Sequence, residues 1–150
     1  MADLTTTVTE SVTLNGALRG NTNSVTTTGI ENVFERIVSC THSQTTTVAV
    51  FDTAPYTSAG AIDVENVRYI RLTNLDENGT VQLAVITTGT NYQVTLTPGA
   101  SHILCVGEEV AIGETDTSPA FGTLQDITSL QVRPVGAVYN PQVSVFVGAV

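Results

Sequence analysis

The chain of 150 residues carries 14 acids against five basic residues, for a net charge of −9, and is 41% hydrophobic but only 5% aromatic, with no Trp. Its 26 Thr, 21 Val and 8 Ile make more than a third of it β-branched, which favours strands and excludes a helical bundle. The basic residues are all Arg (Arg19, Arg36, Arg68, Arg71, Arg133), too few and too scattered to neutralise a phosphate backbone or an anionic bilayer, so neither nucleic acid nor membrane is an expected partner.

Val8, Glu10, Val12 and Leu14 alternate with Thr9, Ser11 and Thr13 and run into Asn15-Gly16, a preferred type I′ turn. Residues 19–29, rich in Gly, Asn, Ser and Thr, read as an extended arm or long surface loop. Residues 33–40 form the next strand, with 44–51 as its expected hairpin partner across Thr41-His42-Ser43. A Pro- and Gly-bearing loop over 52–63 precedes the strand 67–75, and Asp76-Glu77-Asn78-Gly79 is a turn by composition. Alternation resumes at Val81, Leu83 and Val85 and again at Tyr92, Val94 and Leu96, followed by a turn at Pro98-Gly99 and a strand over 101–106. The acidic stretch 107–122 is irregular, and strands over 127–133 and 143–147 close the chain.

Eight to ten short strands with frequent turns and no amphipathic helix predict an all-β fold, a single antiparallel β-sandwich of jelly-roll or Greek-key type. The length fits one domain, divided into an extended N-terminal arm or edge strand over residues 1–30 and a sandwich over 31–150. No apolar run approaches the roughly 18 residues of a spanning helix, and residues 1–10 lack the basic and apolar regions of a signal peptide. The expected setting is therefore a cytosol. Strand positions that would face solvent carry Thr rather than Lys or Glu. Such faces do not repel a neighbouring edge and cost little side-chain entropy to bury, so packing against copies of itself is expected.

Candidates for chemistry are sparse. Cys40 and Cys105 form no C-x-x-C pair and read as small apolar strand residues. His42 and His102 show no metal-binding spacing, and their neighbours Ser43 and Ser101 would point away from them along a strand. Neither a G-x-S-x-G elbow nor a Gly-rich phosphate loop occurs. The paired acids Asp76-Glu77, Glu108-Glu109 and Glu114 with Asp116 lack EF-hand spacing and read as solvated loop charge, with calcium as the alternative. A sugar cleft would want aromatic platforms that a Trp-free chain with four Tyr and four Phe supplies poorly. The residues thus predict no catalytic, cofactor-binding or metal site, and a chain that is not an enzyme.

The order of segments adds a further expectation. The run from Leu4 to Gly16, the link Arg19-Gly20-Asn21-Thr22-Asn23, the segment Ile30 to Val38, the strand Val67 to Asp76 and the stretch Leu96 to Leu104 follow one another before an alternating Val strand. This order, and the strand Tyr69-Ile70-Arg71-Leu72-Thr73-Asn74 most specifically, resembles a family of small β-rich virion structural proteins of marine tailed bacteriophages. The resemblance implies a non-enzymatic component of the virion, a capsid decoration or cement protein, with a tail, fibre or knob component as the alternative within that class. Its implied partners are the major capsid protein or other virion proteins and copies of itself, in a closed homo-oligomer such as a trimer. A soluble calcium- or carbohydrate-binding sandwich module is the alternative from another class.

Overall fold

β-Branched alternation builds strands along nearly the whole chain. The computed structural model describes residues 1–57, 60–111 and 122–150. Fourteen strands follow one another: β1 (Ala2–Thr9), β2 (Val12–Leu14), β3 (Ala17–Arg19), β4 (Thr22–Ile30), β5 (Asn32–Ser39), β6 (Thr46–Asp52), β7 (Ala61–Asp63), β8 (Val67–Asn74), β9 (Val81–Thr87), β10 (Asn91–Leu96), β11 (Ser101–Leu104), β12 (Glu108–Ala111), β13 (Leu124–Pro134) and β14 (Gln142–Ala149). Two single 3₁₀ turns, Pro55–Thr57 and Val64–Asn66, are the helical elements among the described residues, and no helix there is long and apolar enough to cross a membrane.

The strands from β5 onward form two facing sheets, one in the order β11-β8-β14-β5 and the other β10-β9-β13-β6-β7, with β12 also paired to β13. The pairing is nested. Ile86 of β9 lies opposite Asn91 of β10, Leu72 of β8 opposite His102 of β11, Ala49 of β6 opposite Leu130 of β13, and Ile37 of β5 opposite Ser144 of β14. The body is thus one long hairpin, turned at Thr88-Gly89 and rolled so that its successive rungs fall alternately in the two sheets. That is the jelly-roll arrangement. Among the described residues the one departure from antiparallel pairing is β7, which runs parallel to β6.

Period-two alternation sends one set of side chains between the sheets. Val81, Leu83 and Val85 of β9, with Leu130 and Val132 of β13, meet Ile70 and Leu72 of β8 and Val143, Val145 and Val147 of β14, all at most 1% exposed. The core is mostly aliphatic, with Phe51 buried in it and Phe34 and Tyr92 packed against it. The two outer faces differ. Outside the β9/β13 sheet, the side chains are chiefly Gln and Thr, with Gln82 opposite Thr95 and Arg133, and Ala84 between Gln93 and Gln131. Outside the β8/β14 sheet, Phe146 stands between Arg71 and Glu35, and Tyr69 meets the Phe146 ring edge-on at 6.0 Å.

Two expectations about the early chain change. Residues 33–40 and 44–51 do not form a hairpin: β5 pairs with β14 in one sheet and β6 with β13 in the other. The link at 40–45 is a crossover between the sheets, with the Cys40 amide held by Pro141 O and the His42 amide by Asn140 Oδ1. Proximity along the chain favoured the hairpin, but in the fold each strand pairs at long range, β5 with Val143, Val145 and Val147 of β14 and β6 with Leu130 and Val132 of β13. Residues 19–29, expected as an extended arm or long surface loop, instead hold the end of β3 and most of β4, which pairs with β1. The hydroxyls that resembled a loop composition instead pair across the strands: Thr7 Oγ1 with Ser24 Oγ at 2.8 Å and Thr22 Oγ1 with Thr9 Oγ1 at 3.2 Å.

Candidate functional site

Residues 2–30 make a single two-stranded hairpin, with a register shift between Ala2 and Leu4 at its base and constant register from there, from Leu4 opposite Thr27, through Thr9 opposite Thr22 and Val12 opposite Arg19, to Leu14 opposite Ala17. Its tip is the Asn15-Gly16 turn, with φ of 51° and 78°, the two positive values a type I′ turn requires. Between β1/β4 and β2/β3 the hairpin kinks at Gly20. There φ is +117°, and a Cβ would sit 2.0 Å from Glu10 O, so only glycine fits.

Constant register divides the hairpin into two faces. One carries Thr5, Thr7, Thr9, Thr22, Ser24 and Thr26, together with Thr13 and Leu18 near the tip. The other carries Leu4, Thr6, Val8, Glu10, Val12 and Leu14 on one strand, opposed by Ala17, Arg19, Val25 and Thr27 among others. The base of this second face rests on the body. Leu4 Cδ2 and Ile30 Cδ1 each come within 3.5 Å of where a Cβ on Gly148 would lie, so the hairpin is seated on the bare backbone of β14. Ile30 is buried, and the Glu31 amide donates to Ala149 O at 2.9 Å. A groove of about 440 Å³ opens between Leu4, Thr6, Tyr69, Arg71 and Phe146.

Beyond the base every residue from 7 to 26 is exposed. The same apolar face nevertheless continues, with Val8 48%, Val12 57%, Leu14 59% and Val25 65% exposed. Burying a Val or Leu side chain is worth about 1.5–3 kcal/mol, so among the described residues the hairpin forgoes that gain at four positions on one face. The sequence showed the alternation of Val8, Val12 and Leu14 but not that their face is bare, because that depends on how far the body reaches.

The residues weighed for chemistry are distributed as follows. His42 lies half-buried in the crossover with its Nδ1 3.4 Å from Oγ of the exposed Ser43; the two side chains meet, contrary to the expectation for a strand, because Ser43 has a φ of 63° and the segment is a turn. His102 lies in β11 with Nε2 2.9 Å from Tyr92 Oη, while the adjacent Ser101 points outward to Thr73 Oγ1 at 2.7 Å. Cys40 is buried, which pushes its thiol pKa up despite a hydrogen bond with the Thr46 side chain. Cys105 is exposed. Glu114 and Asp116 lie outside the described residues, and Glu108 and Glu109 fall in β12. Among the described residues no three His, Cys, Asp or Glu side chains converge as a metal site.

Asp76 has a structural task. Its carboxylate accepts the amides of Asn78 and Gly79, and these bonds hold its pKa below the usual carboxylate range. Asn74, fully buried, donates to Gly79 O at 2.8 Å and Leu96 O at 3.1 Å and accepts from the Asp76 amide at 3.1 Å. It thereby ties the β8–β9 turn to the β10–β11 turn. The strand Tyr69–Asn74 is thus structural: Asn74 locks two turns while Tyr69 and Arg71 frame Phe146, with the Arg71 guanidinium 5.9 Å from the ring centre. No known family model matches the chain, and no curated protein sequence matches it.

Proposed function

We propose that the chain is a non-enzymatic structural component of a bacteriophage virion, most specifically a capsid decoration or cement protein. The observation that carries the proposal is the projecting hairpin: a jelly-roll body holds out strands whose apolar face, beyond its base, is exposed among the described residues. An assembly module needs such an element, and the sequence resemblance to virion proteins of marine tailed phages supplies the setting. In this reading the hairpin clamps a neighbouring subunit while the body stands on the shell. Its mechanism is thermodynamic: a protein that binds the assembled shell and not its separated subunits stabilises the shell by mass action.

The test is the copy number of the chain in purified virions, by quantitative mass spectrometry against the major capsid protein. A number comparable to that of the capsid subunit supports a decoration or cement role. A small fraction of it overturns that role in favour of a tail, fibre or vertex component. Absence from the particle overturns the virion reading altogether.

A further inference from the structure

We infer that the apolar face of the distal hairpin docks on the outer face of the β11-β8-β14-β5 sheet of a second copy of this chain, in a mutual exchange that closes a homo-oligomer. The inference deepens the assembly reading above by naming the acceptor, but it rests on the geometry of the chain alone.

The first argument is continuity. The same face of the hairpin is already seated on this sheet at its base, through Leu4 and Ile30 against the bare backbone at Gly148. Val8, Val12 and Leu14 extend that strip by roughly 20 Å along the strand, past the end of their own body. Beside the seat, the acceptor sheet keeps apolar surface in water: Val33 and Ile37 of β5 are 55% and 63% exposed. β5 is a sheet edge paired only with β14, and it has neither Lys nor Pro to discourage a neighbour. The opposite outer face is mostly polar, and there Val50 is 38% exposed, less than either Val33 or Ile37.

Charge is the second argument. A chain of net charge −9 repels its copies except where the acids are missing. The outer face of β5, β8, β11 and β14 holds one acid, Glu35, and one Arg, Arg71, while Arg36 lies opposite the inward Val145 and Arg68 lies beside Glu65 and Asp126. The apolar face of the hairpin brings Glu10 and Arg19, which also balance. A charge-balanced strip therefore meets a charge-balanced face on a chain that is otherwise strongly acidic.

Area decides that the exchange is mutual. A strip roughly 20 Å long and two strands wide buries at most a few hundred Å², short of the ~800 Å² per partner of a stable interface. Each copy must therefore both give a hairpin and receive one, either in a two-fold dimer or in a closed ring.

The experiment is sedimentation velocity with light scattering on the full chain and three variants. Val12→Asp with Leu14→Asp charges the apolar face, Leu18→Asp charges the opposite face, and Ile37→Asp charges the acceptor. All four side chains are exposed, so the folded state should survive, with thermal midpoint and circular dichroism as the check. The wild type and Leu18→Asp should be oligomeric, and the other two variants monomeric. A maleimide cross-linker joining Leu14→Cys to Ile37→Cys in a Cys105→Ser background should give covalent oligomers on a denaturing gel. A monomeric wild type would overturn the inference, as would an oligomer unaffected by charging the apolar face or the acceptor. Those failures leave the particle copy number untouched, so they are distinguishable from failure of the virion proposal.

Discussion

Asn74 gathers three hydrogen bonds from separate parts of the fold. Two carbonyls from separate turns and the Asp76 amide depend on it, in a site without access to water. Each buried group left unpaired costs about 1–3 kcal/mol, so Asn74→Ala should lower stability by about 3 kcal/mol or more. Urea unfolding would show this as a reduced midpoint with unchanged slope. Asp76 gives a pH signature. Its folded pKa lies below its unfolded value of about 3.9. Its contribution is therefore present above that pH and is lost as pH falls towards the folded value. The gap in thermal midpoint between wild type and Asp76→Ala should be constant near neutrality and shrink below about pH 4. The thiols should also separate: Cys105 should react with a maleimide in the native protein and Cys40 only after unfolding, counted by mass. Gly79 illustrates what residue identity alone conceals. A turn composition points to positive φ, but the constraint is space, since a Cβ there would lie 3.0 Å from Tyr139 Cβ and 3.2 Å from Asp76 Oδ1.

At the scale of elements, the sequence was legible wherever apolar and polar residues alternate between clear turns. β8, β9, β10, β13 and β14 all fall where Val, Ile and Leu at period two put them, and the Asn15-Gly16 turn has the backbone its residues demand. It was illegible where pairing is decided at long range. Nothing in Val33 to Cys40 distinguishes β14 from β6 as a partner, because both offer alternating apolar faces. β4 was hidden for another reason: Thr, Ser, Asn and Gly dominate both loops and solvent-exposed strands, and the cross-strand hydroxyl pairs appear only once the register is known. The candidate interface was half legible, since the apolar alternation of Val8, Val12 and Leu14 is plain but its bareness is not. The hairpin also yields an element-level prediction. Replacing residues 9–22 by a two-residue turn removes only exposed positions and keeps Leu4 and Ile30 on their seat. The thermal midpoint should therefore stay within about 2 °C, a shift worth well under 1 kcal/mol, while self-association in sedimentation is lost.

For the whole molecule, the distribution of charge predicts how association responds to salt. Fourteen acids against five Arg repel at long range, while the proposed contact is apolar. Screening should weaken the repulsion and leave the contact, so the oligomeric fraction in sedimentation should rise with salt. An interface held by ion pairs would respond in the opposite sense. The nested order of the rungs carries a further consequence, for the way the chain reaches its fold. The β9–β10 rung joins near neighbours, and each rung outward joins residues further apart, until β5 meets β14 near the opposite end of the chain. Loop closure for the outer rungs becomes affordable only after the inner ones have drawn their ends together, so the body is expected to zip outward from Thr88-Gly89, at the slow rates of high contact order. The N-terminal hairpin is local and needs none of this. All of its residues are synthesised before the first strand of the sheet that seats it, and Gly148 of β14, on which its base rests, emerges last, so the hairpin gains its seat only at the end of synthesis.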